Sequence, residues 1–286
     1  PVPDRAPSVA IDGPVFEPPF LGSRVVKGIG LDEIASYIIE TALFRNQWQY
    51  RPEAGEADAD FKARLRALLR ERVAGARADD LLVPELVYGY FPANGDGDEL
   101  VIWEDEARTS DLARILTLRQ QVAKKEGRAN LALSDFVAPI ESGVDDYVGG
   151  FAVTAGHGLG EAKARFEAAH DDYSAIMITA LADRLAEAFA ERLHERVRRE
   201  LWGYAADEQL DNEALISESY QGIRPAPGYP SCPDPTEKVT LFRLLEAGSR
   251  AGIDLTETMA MLPAASVSGY YFWHPESRYF GLGRVG

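Results

Sequence analysis

Between Tyr220 and Pro230 the sequence reads Tyr-Gln-Gly-Ile-Arg-Pro-Ala-Pro-Gly-Tyr-Pro, and Ser231-Cys232-Pro233 follow at once. Three prolines and two glycines in this span exclude a helix, because an interior proline lacks the N–H and clashes with the preceding turn. They also exclude a central strand, whose ladder would lose its donors. The chain must cross this point as a shaped loop. Pro225 and Pro227 fix φ near about −65° and push Arg224 and Ala226 into extended conformations. The result is a stiff ribbon with a guanidinium at its head and the Tyr229 phenol at its foot. An arginine held in this way is a fork for a carboxylate or a phosphate. The same composition suits a proline-rich connector whose arginine caps a neighbouring helix, and the residues alone weigh the two readings about evenly.

The 286 residues around this loop suffice for one large domain or two modest ones with a sizeable core. A net charge of −16 argues against nucleic acid as a partner, since neutralising phosphates takes clustered Lys and Arg. Cationic ligands or basic partner surfaces fit it better, although solubility alone also explains an acidic balance. Cys232 is the only cysteine, which excludes an intrachain disulfide and a cysteine-rich zinc site and makes the reducing cytoplasm the natural compartment. His157, His170, His194 and His274 stand singly, without the spacing of a helical metal-ligand pair. No apolar run is long enough for a bilayer, so no membrane partner is expected, and the start, Pro1-Val2-Pro3-Asp4, has no signal-peptide pattern. Beginning without Met and ending at Val285-Gly286, the chain reads as an excised piece of a larger protein.

The stretch through Pro14, Pro18, Pro19 and Gly22 is loop-like and reads as a surface arm. From Leu31, apolar residues Ile34, Tyr37, Ile38, Ala42 and Phe44 recur at three- and four-residue spacing, which predicts one helix with Glu40 near its end. A second helix is predicted from about Asp58 to Ala74 on the stripe Phe61, Leu65, Leu68, Leu69. Leu86–Phe91 and Leu100–Trp103 read as a hairpin around the turn-rich Pro92–Asp98, and Asn130–Ala138 and Tyr147–Thr154 read as strands. The glycine-rich run Ala155–Gly160 lacks the spacing of either nucleotide-binding fingerprint and is read as a strand-to-helix turn. The longest helix, Tyr173–Trp202, carries the core stripe Leu181, Leu185, Phe189, Leu193, Val197, Leu201. Its other face, with Asp183, Glu187, Glu191, Glu195 and Arg198, reads as solvated. A short helix at Asn212–Glu218 leads into the loop. A helix opened by Thr236 and Glu237 and running through Phe242 and Leu245, a strand at Ala264–Trp273 and a returning strand from Arg278-Tyr279-Phe280 complete the pattern. Hairpins mixed with long helices and no βαβ repeat predict an α+β fold.

No nucleophile–base motif is visible. Asp145-Asp146 and Asp171-Asp172 read as caps and turns. Cys232, without a nearby base, reads as a buried or half-buried thiol. On the residues alone the chain offers a rigid arginine loop, aromatic strands and an acidic surface, and no catalytic group.

Tyr220–Pro233 nevertheless resembles the signature of the activation domain of cobalamin-dependent methionine synthase. Tyr90-Phe91-Pro92-Ala93-Asn94, Asp135–Pro139, His170–Tyr173, Ala182–Glu191, Leu193–Arg198 and Ala265–Gly269 match the same family in the same order, across nearly the whole chain. The resemblance implies a C-shaped α+β domain with a central twisted antiparallel sheet flanked by helices, which binds S-adenosylmethionine in a shallow groove. It implies that 1–30 are an arm or linker from a preceding cobalamin domain, and that 31–286 are the activation domain with its C-terminal end truncated. Arg224 is then expected to hold the ligand carboxylate. Ala226 and Tyr229 seat the ligand, Glu40 meets its amino group, and Tyr279 and Phe280 contact it. Glu187 and Glu218 face the cobalamin-bearing domain.

The implied activity is a methyltransferase's share of reactivation. S-adenosylmethionine donates its methyl group to cobalamin on the partner domain, while an electron-donating flavoprotein or equivalent reductant rescues the oxidised cob(II)alamin. Such a displacement needs placement and no general base, in keeping with a chain that shows no catalytic dyad. Zinc and the chemistry of methyltetrahydrofolate and homocysteine belong to the full-length enzyme, because the cobalamin-binding and zinc-binding motifs are absent from this sequence. The other reading is a non-catalytic S-adenosylmethionine-binding or interaction module.

Overall fold

The computed structural model describes residues 5–11, 13–122, 124 and 129–283. Its strands in chain order are β1 (Gly22–Val25), β2 (Val83–Asp96), β3 (Glu99–Trp103), β4 (Asp111–Leu116), β5 (Asp146–His157), β6 (Asp254–Leu255), β7 (Met261–Leu262) and β8 (Ser266–Tyr271). The helices are α1 (Leu31–Ala35), α2 (Asp58–Ala78), α3 (Leu159–Ala168), α4 (Asp172–Arg196), α5 (Asn212–Ile216), α6 (Glu237–Leu245) and α7 (Ala247–Ala251). β2 and β5 pair antiparallel from Val83↔His157 to Ala93↔Asp146 and form the centre of a six-stranded sheet of order β4-β3-β2-β5-β8. β1 and β3 share successive lengths of the same edge of β2, at Val87–Tyr90 and Ala93–Asp96. β6 and β7 form a separate small hairpin.

Strand periodicity decides how this sheet is covered. Leu86, Tyr88 and Tyr90 project to one face of β2 and Val87, Phe91 and Ala93 to the other, and the two sets lie in two separate buried clusters. Both faces therefore need helices. α4 supplies the largest contribution to the first, through Leu181, Leu185, Phe189 and Leu193, joined by α1 and by Phe61, Leu65, Leu69 and Val73 of α2. α6 and α7 cover the second through Leu241, Leu244, Leu245 and Ala251. This is the expected α+β class, an antiparallel sheet flanked by helices.

Several local expectations are corrected. The helix predicted from Leu31 to Phe44 stops at Ala35 and resumes at Glu40-Thr41, passing at once into a wide π-type segment at Ala42–Gln47. Ser36 Oγ donates to the Glu33 carbonyl at 2.7 Å, a local bond that competes with helix continuation. The turn expected at Pro92–Asp98 shrinks to Gly97-Asp98, because β2 runs on to Asp96 in register with β3. Pro92 falls in the gap between the ladders of β1 and β3, where a missing N–H does least harm. Asn130–Ala138 is not a strand but contains a 3-10 turn at Leu133–Phe136. The described stretch from Arg278 to Gly283 has no regular secondary structure and joins no sheet. Ser231 Oγ donates to the Phe280 carbonyl at 2.7 Å and accepts from its N–H at 3.2 Å, which ties the stretch to the proline loop. On α4, Glu195 is buried rather than solvated and accepts from Tyr37, Arg192 and Arg199. Arg198, at the start of the π-type turn that follows α4, is fully buried and chelated by Glu208 at 2.7–2.9 Å.

The 3-10 turn exists because Asp135 is a buried hub. Its carboxylate accepts from Arg119 at 2.7 and 3.0 Å and from the backbone N–H groups of Ala132 and Ala6 at 2.9 and 3.2 Å. Ala6 and Val9 of the arm are buried there, and Arg5 donates to the Asp135 carbonyl at 2.8 Å. Removing one partner of a buried pair strands the other charge. Asp135→Ala should therefore lose ~3 kcal/mol of stability, read as a lowered urea midpoint at unchanged m-value; a midpoint within error of wild type would refute the hub.

Candidate functional site

The first half of the proline loop is a short extra strand on the free edge of β8. Ile223 and Phe272 exchange N–H···O bonds at 2.9 and 3.0 Å, and Tyr270 N–H donates to the Pro225 carbonyl at 2.9 Å. Two glycines permit this approach. Gly222 has φ +84°, and a Cβ there would lie 2.7 Å from the Phe272 carbonyl oxygen; a Cβ at Gly269 would lie 2.8 Å from that of Pro225. Arg224 is thus set by backbone pairing on both sides, and its own N–H donates to the Tyr279 hydroxyl at 3.0 Å.

Its side chain meets α4. Nη2 donates to Glu191 Oε2 at 2.7 Å, and Nη1 donates to His194 Nδ1 at 3.0 Å and to the Tyr220 hydroxyl at 3.4 Å. Glu191 and His194 stand three residues apart, on one side of the helix. A guanidinium has five N–H donors, so Nε–H and one Nη2–H remain uncommitted among the described residues. Burial works against the Arg224 charge, but Glu191, with Tyr220 and Tyr279, outweighs it and raises the pKa above the usual arginine value. His194 is driven the other way. Burial, then the charges of Arg198 and Arg224, hold its pKa well below 6.5. It is neutral, and because Nδ1 accepts from Arg224 the proton lies on Nε2, which faces the Tyr204 hydroxyl at 3.5 Å. The imidazole stacks on Tyr271 at 5.2 Å and meets Tyr220 edge-on at 4.9 Å.

Arg224 borders a groove of about 670 Å³ formed between the proline loop, β8 and the stretch from Tyr279. Seven of the eight expected site residues line it: Arg224, Ala226, Tyr229, Tyr279, Phe280, Glu187 and Glu218. Tyr229 is 62% exposed, while Tyr279 and Phe280 are half-buried and Glu187 and Glu218 stand exposed. Glu40 is not brought to them. Both its oxygens accept from Arg66, at 2.5 and 2.9 Å, and it lines a different cleft, beside α2. The neighbouring Ile39 lines that cleft too, and it also lines a smaller cavity of about 190 Å³ that shares Arg224, Glu187 and Glu218 with the groove and includes Glu191 and Tyr220.

Sequence reasoning passed over Glu191 and His194, the two α4 residues that hold Arg224. Both were legible as polar residues beside an apolar helical stripe. The arrangement can bind an anionic group through Arg224 but offers no nucleophile with a base. Cys232 is buried, and burial pushes its thiol up to about 12; His194 is committed to Arg224.

Residues 33–286 match the family described as vitamin B12-dependent methionine synthase, activation domain. The fold also superposes on a crystal structure of the MetH reactivation domain bound to AdoHcy, with a TM-score of 0.87 and 46% sequence identity, over 95% of this chain and 84% of that one.

Because His194 is neutral when folded and titrates near 6.5 when unfolded, the unfolded state takes up the extra proton as pH falls. Stability contributed by this site is present above about pH 6.5 and declines below it. His274, also lowered by burial, adds to the same decline. His194→Gln removes one titrating group and should flatten the fall by up to ~1.4 kcal/mol per pH unit, measured by urea unfolding at several pH values; an unchanged slope would contradict a neutral, buried His194.

Proposed function

The chain belongs to the activation-domain family of vitamin B12-dependent methionine synthase, and from that premise we propose that its groove binds S-adenosylmethionine. In this reading the groove presents the sulfonium methyl group to cobalamin carried by a separate domain. The observation that carries it is the Arg224 guanidinium, fixed by Glu191, His194 and the β8 edge, with donors left uncommitted beside an open groove. Those donors suit the ligand carboxylate. The bound AdoHcy of the structurally similar reactivation domain supports the same choice of ligand.

The other groove residues take roles consistent with their exposure. The backbone at Ala226 and the rings of Tyr229, Tyr279 and Phe280 hold the adenosyl part, with Tyr279 also bound to the Arg224 N–H. Glu40 is committed to Arg66, so the ammonium group falls to Glu191, which is bonded to Arg224 through one oxygen and keeps the other unpartnered among the described residues. Glu187 and Glu218, exposed at the rim, meet the cobalamin domain. The transfer is a displacement at the methyl carbon. A cobalamin on that separate domain would supply the nucleophile and the ligand sulfur would leave as the neutral thioether, while this chain's residues supply position and aim. A flavoprotein or equivalent reductant provides the electron that reactivation requires. Zinc and the transfer from methyltetrahydrofolate to homocysteine are not assigned to this chain.

Mixing the chain with a separate cobalamin domain, a reductant and S-adenosylmethionine should give the absorbance spectrum of methylcobalamin. Ligand binding with no methylcobalamin would favour a non-catalytic binding module. Arg224→Ala should weaken S-adenosylmethionine binding by at least ~1.5 kcal/mol, the scale of a charged hydrogen bond; unchanged affinity by calorimetry would remove Arg224 from the site.

A further inference from the structure

We propose that the buried Arg198–Glu208 pair positions the Arg224 fork, acting through the Tyr220 ring and the His194 imidazole; this rests on the S-adenosylmethionine reading above. Arg198 and Glu208 line neither the groove nor the smaller cavity beside it. Their own meeting is set locally. After α4 the chain makes the π-type turn Val197–Leu201 and folds back, with the Ala205 N–H on the Arg198 carbonyl at 2.8 Å and the Glu208 N–H on the Ala205 carbonyl at 3.0 Å. That return lays the Glu208 carboxylate on the Arg198 guanidinium through bonds of 2.7, 2.8 and 2.9 Å.

Arg198 is the largest fully buried side chain among the described residues, and its Nη1 has no hydrogen-bond partner there. Such a pair is a weak stabiliser, because two charges give up their hydration to make it. Packing alone would be served as well by an apolar side chain of similar volume. What an apolar side chain cannot supply is a charge at this point.

Two contacts carry that charge to the site. The Arg198 guanidinium carbon lies 4.4 Å from the centroid of the Tyr220 ring, and that of Arg224 lies 6.0 Å from the same centroid. Both cations therefore draw on one ring, whose hydroxyl accepts from Arg224 Nη1 at 3.4 Å. His194 is the second contact. It precedes Arg198 by four residues, about one helical turn, meets the Tyr220 ring edge-on at 4.9 Å and accepts from Arg224 Nη1 at 3.0 Å. Both routes thus end on Nη1, and its placement leaves Nε–H and one Nη2–H uncommitted.

The charges around His194 run one way. Arg198 and Arg224 both oppose its protonation. The remaining titratable neighbours, Tyr204, Tyr220 and Tyr271, are kept in their neutral form by burial. The carboxylates of the cluster, Glu191 and Glu208, are bonded to Arg224 and Arg198. A proton on Nδ1 would set one donor against another and release Arg224 Nη1. Arg198 guards against this from outside the groove, so that ligand binding by wild type stays level from neutral pH to below pH 6.5.

Calorimetry with S-adenosylhomocysteine between about pH 5 and pH 8 tests this on wild type, on the double variant Arg198→Met with Glu208→Gln, and on Arg198→Lys. The double variant strands no charge, and circular dichroism checks that it folds. It should bind about tenfold more weakly than wild type at the upper end of the range, the scale of one lost hydrogen bond. Its affinity should also begin to fall at a higher pH than in wild type, because His194 takes up a proton more readily. Arg198→Lys keeps the charge but not the planar stack on Tyr220, so it should restore the wild-type pH profile and only part of the affinity. A double variant with wild-type affinity would overturn the inference and leave the ligand reading intact. Weaker binding at an unchanged pH profile, or the same shifted profile in Arg198→Lys, would assign the pair to packing alone and overturn it too. Failure of S-adenosylhomocysteine to bind wild type would instead sink the ligand reading. If the double variant does not fold, Tyr220→Leu decides: loss of the ring shared by the two guanidiniums should weaken binding by a similar factor, and unchanged affinity refutes the proposal.

Discussion

A guanidinium buried beside an imidazole stays charged only if a carboxylate compensates for its lost hydration. Glu191, 2.7 Å from Arg224 Nη2, meets that requirement, and the rest of the site follows from it. With Arg224 charged, His194 is forced to remain neutral and to act as acceptor. A neutral histidine already holding an arginine proton is not free to serve as a general base. The titratable groups around Arg224 are therefore spent on orienting one cation, two of whose donors stay uncommitted among the described residues.

The same cation depends on the sheet. Arg224 cannot drift toward or away from Glu191 because Ile223 and Pro225, its neighbours on either side, bond to Phe272 and Tyr270 of β8. β8 in turn is aligned by six consecutive pairs with β5, the central strand. A helix that packs on the face of β5 and β8 delivers Glu191 and His194, so errors in the α4–sheet packing would appear directly as errors in the Arg224 fork. This explains why the helix keeps Glu195 and Arg198 buried in ion pairs of their own. They fix the rotation of α4 and of the turn that follows it, and that rotation sets the direction of Glu191.

What was legible in the sequence divides along physical lines. The long stripe from Leu181 to Val197, the stripe of α2 and the hairpin strands are local periodic signals, and each produced an element of the right type. The proline loop was legible because proline geometry is local as well. Failures occurred where a distant partner decides. Asp135 turns an apparent strand into a 3-10 turn because Arg119 and the arm converge on it. Tyr279 and Phe280 are held by Arg224 and Ser231 instead of by a sheet. Glu40 has the right chemistry for an ammonium group but is paired with Arg66 of α2, a partner that no local pattern reveals. The burial of Glu195 and Arg198 was equally invisible, because a charge on the far side of a helical stripe reads the same whether water or a partner awaits it.

The placement of charge at the groove has a final consequence for turnover. Arg224 and Glu191 compensate each other, so the ligand's zwitterionic end meets a site with little net charge and is held by directional bonds. On the proposed reading the sulfonium, by contrast, lies toward a mouth whose rim carries Glu187 and Glu218 on a protein of net charge −16. On the same reading, transfer of the methyl group removes the sulfonium charge and with it the attraction to that rim, while the carboxylate and adenosyl contacts persist. On that reading the field at the mouth distinguishes substrate from product at the one atom that changes, and the arginine loop serves both equally.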